Sequence, residues 1–414
     1  MNEVVLHRAT TALPQLSTDT STYPRTARYV VRLLERIRHG SLAVTFPDGQ
    51  RATFGRGAPH GDITLANWNV FGATLKRGDV GFGESFIAGD WTTTDLAQLL
   101  VVLQRNRAAV EKVIYGSFLG GLLSRVRHLL NRNTREQAKR NIHAHYDLGN
   151  DFYALWLDPT LTYSSALFAD LGDPHAPAAA ATLTAAQQLK YSRVLAELQL
   201  APGAQLLEIG CGWGGFAQRA VQAGHTVRGL TLSPAQFQLA HKRLAESGSA
   251  DLRLQDYREE RGRYDGIASI EMFEAVGEAY WPAYFATLAR CLKQGARACI
   301  QTIVIKDALF ERYRKGTDFI QRYIFPGGML PSPAQFERHA EAAGLRVTNR
   351  FSFGRHYAKT LRTWRARFEA QLPAVRALGF DDRFVAIWSF YLAYCEAAFA
   401  EGSTDVVQFT LARA

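Results

Sequence analysis

A strand that breaks into glycines and resumes as a helix constrains this chain more than any other feature. In LLEIGCGWGGF, residues 206–216, an apolar run is interrupted by Gly210, Gly212 and Gly215 in the spacing G-x-G-x-x-G. Glycines so spaced allow a tight turn, a close approach of backbone to a ligand, and close packing of a helix on its strand. Around this turn lie further short apolar strands, HTVRGLTL (225–232), ADLRLQ (250–255), YDGIASI (264–270) and ARACIQTIVI (296–305), with helical stretches between most of them. Apolar strands alternating with helices predict an α/β fold with a doubly wound parallel sheet. After an interruption, KDALFERYRKGTDFIQRYIFPGGMLPSP, come helix 333–343, strand LRVTNRFSF, a long helical tail and strand VVQFTLA, which bring the expected sheet to seven strands.

The same glycines suit two different nucleosides. A dinucleotide site wants an acid at the end of the next strand, about 20 residues on, to bind a ribose. Here that strand ends in Gly229-Leu230-Thr231, and residues 216–245 contain no acidic side chain. An acid, Glu208, instead stands just before the glycines, where it can order a loop that meets the amino-acid part of S-adenosyl-L-methionine. The adenosylmethionine reading is therefore preferred to the dinucleotide one.

Ahead of this region, residues 1–22 are Thr/Ser-rich and aperiodic, and are expected to be a flexible tail. RYVVRLLERIRHG reads as a helix ending at Gly40. The alternating runs SLAVTF, QRATFG, DITLAN and ATLKRG read as strands of a small sheet, and a helix is expected to begin near Thr94 or Asp95. Residues 23–105 are thus expected to form a small α+β domain, and 106–140 a helical linker. The net charge of +10 is concentrated in part at 122–140, where Arg125, Arg127, Arg132, Arg135, Lys139 and Arg140 face only Glu136. On a helical period this is a basic amphipathic segment, suited to an anionic membrane surface or to a solvated face between domains. It lacks interleaved aromatics, so no nucleic-acid partner is expected. No run approaches 18 apolar residues and no signal peptide is read at the start, which places the protein in the cytoplasm, peripheral at the inner membrane surface. Cys211, Cys291, Cys299 and Cys395 lack disulfide or metal spacing; free thiols and no metal are expected.

Several blocks, in order, carry a family resemblance: HYDLGNDFYALWLDPTLTYSSALF, EIGCGWGG, GLTLSPAQ, SIEMFEAVG, YIFPGGMLPS and GRHYAKTL. Together they resemble the cyclopropane-fatty-acyl-phospholipid synthase family, S-adenosylmethionine-dependent methyltransferases that act on unsaturated acyl chains. The likeness covers residues 140–414, and the N-terminal domain resembles the accessory domain of full-length phospholipid-acting members. It implies a class I, Rossmann-like methyltransferase domain over 141–414 with a lid at 306–330. Unsaturated membrane phospholipids are the implied substrate, with a homodimer as one expected assembly.

By resemblance, the donor site takes Tyr163, Ser164, Glu208, Gly210, Cys211, Gly212, Thr231, Leu232, Gln236, Gln255 and Asp256. Asp256 also reads as a turn cap. An alkene is a poor nucleophile, so the aromatics Tyr146, Phe152, Tyr163, Phe273, Phe319, Tyr323 and Phe325 are candidates to stabilise a developing cation. The family holds a bicarbonate, which takes a proton from the delivered methyl, between a Cys, a Glu, a His, an Ile backbone and a Tyr. Glu274, Ile303 and Tyr357 match; Ser165 stands at the Cys position and Gln301 at the His position, and Ala275 follows Glu274 where many members have His. Ser165 and Gln301 can donate to an anion, but neither carries the imidazole's charge. Two outcomes stay open: a bicarbonate site with altered ligands that gives a cyclopropane, or a proton managed by Glu274 or Tyr357 that gives a methyl-branched, methylene or furan-precursor chain. A soluble small molecule or acyl carrier is the further alternative substrate, and a lipid-binding protein with a vestigial donor site the non-enzymatic one.

Overall fold

The computed structural model describes residues 20–109 and 148–413. The basic segment 122–140, Tyr146 and all but the last three residues of the tail 1–22 lie outside them.

Four strands, β1 (Gly40–Thr45), β2 (Arg51–Arg56), β3 (His60–Leu65) and β4 (Trp91–Thr92), form a small sheet in the order β2-β1-β3-β4. The helix Leu96–Arg105 packs on β1 and β3, and the helix Arg25–Leu34 buries Ala27, Val30, Val31 and Leu34, a spacing that puts all four on one face. Two expectations fail here. Gly40 does not close a helix but opens β1 with φ 89°; a Cβ there would sit 2.5 Å from the Pro59 carbonyl oxygen. ATLKRG, read as a strand, lies in the helix Asn69–Ile87, which breaks at Gly78 (φ 61°, ψ −135°). Val70, Phe71 and Thr74 are buried by that helix, and so few residues fit either period. The helix Leu96–Arg105 does begin at Asp95, whose carboxylate accepts from the backbone N–H groups of Ala97 and Gln98.

The second sheet has the seven expected strands: β5 (Gln205–Ile209), β6 (Thr226–Thr231), β7 (Ala250–Leu254), β8 (Tyr264–Ile270), β9 (Leu292–Ile305), β10 (Leu345–Ser352) and β11 (Thr404–Arg413). Their order is β10-β11-β9-β8-β5-β6-β7. β5 pairs in parallel with both β6 and β8, β6 with β7, and β8 with β9; β11 runs antiparallel between β9 and β10. Leu206, Leu207 and Ile209 are all within 1% of full burial, as the continuous apolar run requires of a strand covered on both faces. The chain winds one way from β5 to β7 and the other way from β8. The crevice between the carboxyl ends of β5 and β8 is thus the switch point where such sheets bind ligands.

Two long helices, Gly354–Ala370 and Asp382–Ala400, pack on each other, and the second also packs on Leu96–Arg105 and Asn69–Ile87. One apolar cluster therefore includes Val44 and Leu99 from the small sheet's side together with Trp156, Trp364 and Phe390. Fully buried Glu396 is held between the guanidinium groups of Arg362 and Arg365, at 2.6 and 3.0 Å. Among the described residues no helix is long and apolar enough to cross a membrane.

Candidate active site

The crevice at the switch point is lined by every expected donor-site residue: Tyr163, Ser164, Glu208, Gly210, Cys211, Gly212, Thr231, Leu232, Gln236, Gln255 and Asp256. The turn after β5 is tied to its neighbour strand, with the N–H groups of Gly210 and Cys211 both donating to Leu230 O at 2.9 Å. Gly210 has φ 83°, and a Cβ on it would lie 2.7 Å from Met272 Cγ, so only glycine fits. After β6, the Thr231 hydroxyl donates to Gln236 Oε1 at 3.1 Å, and Ser233 caps the helix Pro234–Leu244 that carries Gln236. Gln255 and Asp256 follow β7. Asp256 caps the turn Tyr257–Glu259 and binds the Arg258 guanidinium at 2.6 Å, so the turn-cap role is real at a residue that also lines the crevice.

Glu208 is 3% exposed, and its Oε2 has no hydrogen-bond partner. Burial pushes its carboxyl up to about 8, against the pull of the Lys190 ammonium and the Ala217 N–H. An unpartnered buried acceptor beside a glycine turn fits the ammonium and hydroxyl donors of S-adenosyl-L-methionine. Lys190 itself is fully buried, donates to Ser164 Oγ at 2.7 Å, and is lowered to about 7 by burial despite Glu271, Asp158 and Glu208.

A second, largely apolar cavity adjoins the crevice and shares Tyr163, Glu271 and Ala275 with it. Ile303, Tyr357, Leu361, Tyr391 and Phe399 line it, together with Tyr313, Ile320, Phe325, Met329 and Leu330 from the stretch 313–330. Of the candidate aromatics, Tyr163 and Phe325 face this cavity; Phe152, Phe273 and Phe319 are fully buried core, and Tyr323 donates to Glu84 at 2.6 Å.

The five residues expected around an anion divide into two groups. Ile303 N–H and the Thr302 hydroxyl donate to Glu274 Oε1, while Glu274 Oε2 is buried without a partner. Burial, with the neighbouring Glu271, pushes Glu274 up to about 8. Ser165, Gln301 and Tyr357 converge elsewhere, on Glu271. Ser165 does so through its backbone N–H; its hydroxyl donates to Ala166 O at 3.1 Å, so the expected side-chain donor is a main-chain one. Glu271 is raised by burial, with Tyr357, Lys190, Ser165 N–H and Gln301 acting against that rise.

Sequence reading missed Glu271 and Lys190. Glu271 had a signal: a second acid, three residues before Glu274, immediately after a buried parallel strand. Lys190 had none, because a single lysine in a helix ordinarily points to water.

The family profile of mycolic acid cyclopropane synthetase matches residues 133–409. A tuberculostearic acid methyltransferase of Mycobacterium tuberculosis is 41% identical over 344 residues, 82% of this chain and 80% of the relative. The cyclopropane-fatty-acyl-phospholipid synthase of Escherichia coli K12 is 33% identical over 358 residues, 86% of this chain and 89% of the relative. Among solved structures, a mycolic acid cyclopropane synthase crystallised with S-adenosylhomocysteine superposes with a TM-score of 0.60 at 35% identity, covering 66% of this chain and 98% of that one. The chain is therefore an S-adenosylmethionine-dependent C-methyltransferase of class I fold, and it belongs to the cyclopropane synthase family.

Proposed function

We propose that the protein transfers a methyl group to the double bond of an unsaturated fatty acyl chain of membrane phospholipids, and that the resulting cation is resolved by proton loss to give a cyclopropane. The observation that carries this reading is the junction of the donor crevice with an apolar cavity whose shared wall holds a buried carboxylate. The names of the relatives, which concern cyclopropane fatty acyl phospholipids and a methyl-branched fatty acid, support the substrate class.

Adenosylmethionine supplies an electrophilic methyl on a sulfonium. The residues of this chain supply position and environment. Glu208 accepts from the donor's amino group, Thr231 and Gln236 from the ribose in place of the missing acid, and Tyr163 and Ser164 close the crevice beneath the acyl chain. Tyr163, Tyr357, Phe325 and Phe399 surround the reacting carbons with aromatic faces that attract a developing cation without trapping it. Residues 306–330 act as the lid, and their apolar side chains exclude the water that would quench the cation.

A second product reading rests on Ser165 and Gln301, which replace the Cys and His of the family, and on the methyltransferase relative. In it the same cation loses its proton without ring closure and gives a methylene chain, with a methyl branch after reduction by a separate hydride donor. Expression in a host without such an enzyme, followed by mass spectrometry of total fatty acids, tests both. Unchanged unsaturated chains would refute acyl methylation; a gain of one CH2 supports it, and the proton spectrum then separates a ring from a methylene. Charge reversal at Arg125, Arg127 and Arg132 should weaken sedimentation with anionic vesicles in a salt-dependent way.

A further inference from the structure

Three of the residues that the resemblance places around a bicarbonate already hold a side chain. Glu271 Oε1 accepts from Ser165 N–H at 2.8 Å and from Gln301 Nε2 at 2.7 Å, and Oε2 accepts from the Tyr357 hydroxyl at 2.7 Å. A carboxylate and a bicarbonate offer the same planar pair of acceptors, so these donors serve one or the other. A free anion there would also sit beside two buried carboxyls, Glu271 and Glu274, with Lys190 as the neighbouring cation. Bicarbonate does not fit this site.

We propose that Glu271 is the built-in base of this enzyme, its carboxylate standing where the family places bicarbonate and taking the proton released after methyl transfer. The inference rests on the acyl-methylation reading. Three observations carry it. Glu271 follows β8 directly at the switch point, and with Tyr163 and Ala275 it lines both the donor crevice and the apolar cavity. It adopts φ 49°, left-handed backbone that a non-glycine residue keeps only where its surroundings demand it, and its N–H is fixed to Gln301 O at 2.8 Å. Its carboxylate has a donor on each oxygen, so it is oriented, whereas Glu274 is left with one bare oxygen.

The step balances. The alkene π pair forms the new C–C bond as the C–S bond breaks, with that pair remaining on sulfur as the thioether, and the second alkene carbon becomes cationic. Glu271 forms an O–H bond with a proton of the delivered carbon, and the C–H pair closes the ring onto the cationic carbon. If a hydride first shifts to that carbon from its neighbour, the same pair instead forms the exocyclic double bond. The chain gains CH2 either way, and the proton leaves Glu271 for solvent with product release.

The test uses full-length protein with unsaturated phospholipid vesicles in CO2-free buffer, with and without added bicarbonate, and calorimetry of adenosylhomocysteine binding alongside. Wild type should turn over without bicarbonate and gain nothing from it. Glu271→Gln should keep adenosylhomocysteine binding and lose at least about a hundredfold in turnover. Glu271→Gly suits the left-handed backbone and empties the anion position. It should be silent in CO2-free buffer, recover activity with bicarbonate, and bind 13C-bicarbonate by NMR where wild type does not. A wild type that needs bicarbonate, or a Glu271→Gln protein of near-normal turnover, overturns the proposal alone. A wild type that adds no CH2 to any acyl chain overturns the acyl reading and the proposal with it.

Discussion

The donor crevice and the carboxylate cluster beside it are built in different ways. The crevice takes most of its residues from the ends of three consecutive strands, β5, β6 and β7, with Tyr163 and Ser164 added from the loop that also carries Ser165. The cluster gathers Ser165 from a loop, Glu271 from the end of β8, Gln301 from β9 and Tyr357 from the helix Gly354–Ala370. A change in the first disturbs a turn that the whole sheet shares. In the second, one side chain can replace another, or a bound anion, while the fold stays as it is. The crevice should therefore be intolerant of substitution, and the cluster tolerant in stability but sensitive in chemistry.

The largest effect outside Glu271 is expected at Gly210. Valine there would need φ near 83° and would drive its side chain into Met272. The left-handed backbone costs about 1–3 kcal/mol and overpacking a similar amount. Gly210→Val should lower the melting temperature clearly and abolish adenosylhomocysteine binding in calorimetry. Normal affinity would mean that the turn adapts and that the comparison is drawn too sharply.

Glu208 comes next. If Glu208 meets the donor's ammonium as proposed, that charge draws the proton from its carboxyl and the contact is worth about 1.5–3 kcal/mol, so Glu208→Gln should weaken adenosylhomocysteine binding roughly 10- to 100-fold. It also carries a pH signature. Its ordinary value of 4.5 rises to about 8 in the folded protein, as does that of Glu274. Between these values the folded form holds a proton that the unfolded form has released. Stability without ligand is then full below about 4.5 and falls as pH rises through about 8. Thermal melts across that range should show the decline in wild type and a shallower one in Glu208→Gln; parallel curves would remove Glu208 as a cause.

The contrast between the two regions also explains what could be read from the sequence. The seven strands and the glycine turn were legible because each depends on neighbours in the chain: burial period, turn chemistry, and position at a strand end; the donor set came from the family resemblance, and its members line one crevice. ATLKRG was not, because six residues satisfy a strand and a helix equally and the helix Asn69–Ile87 was settled by packing of Val70 and Phe71. Ser165, Gln301 and Tyr357 were expected around a bicarbonate together with Glu274 and Ile303; they converge instead on Glu271, a side chain of this chain. Nothing in the spacing of residues 165, 271, 301 and 357 shows that β8 and β9 bring them together; that follows from the Ile270–Gln301 pairing in the sheet. Lys190 was illegible for the opposite reason, since its cost of burial is offset only by acids that are distant in sequence.

Glu274 sharpens the comparison within the cluster. With its carboxyl raised to about 8, it carries its proton at neutral pH, and glutamine offers Ile303 and Thr302 the same acceptor. Glu274→Gln should therefore cost less than about tenfold in turnover, well short of the loss that removal of a general base brings. Wild-type turnover should fall as pH passes about 8, when Glu274 ionises beside Glu271, and the Gln variant should resist that fall. Equal losses for Gln at 271 and 274 would erase the distinction between the two acids.

The smallest effect should come from the segment 306–330 beside the apolar cavity. The segment 306–330 is anchored outside the cavity, where Tyr323 donates to Glu84 at 2.6 Å and Arg322 to the same oxygen at 3.1 Å. Phe319, in the same helix, packs against Phe390 with ring centroids 4.5 Å apart and leaves room only for glycine at position 83, where a Cβ would come within 2.5 Å of its ring. Tyr323→Phe keeps that packing and removes one hydrogen bond, worth about 0.5–1.5 kcal/mol. The loss should loosen residues 306–330 at the apolar cavity without reaching the donor turn. It should appear as a small rise in KM for vesicle substrate, with adenosylhomocysteine affinity unchanged. If donor affinity falls as well, the two regions are coupled through residues 306–330, and the crevice is not independent of the cavity beside it.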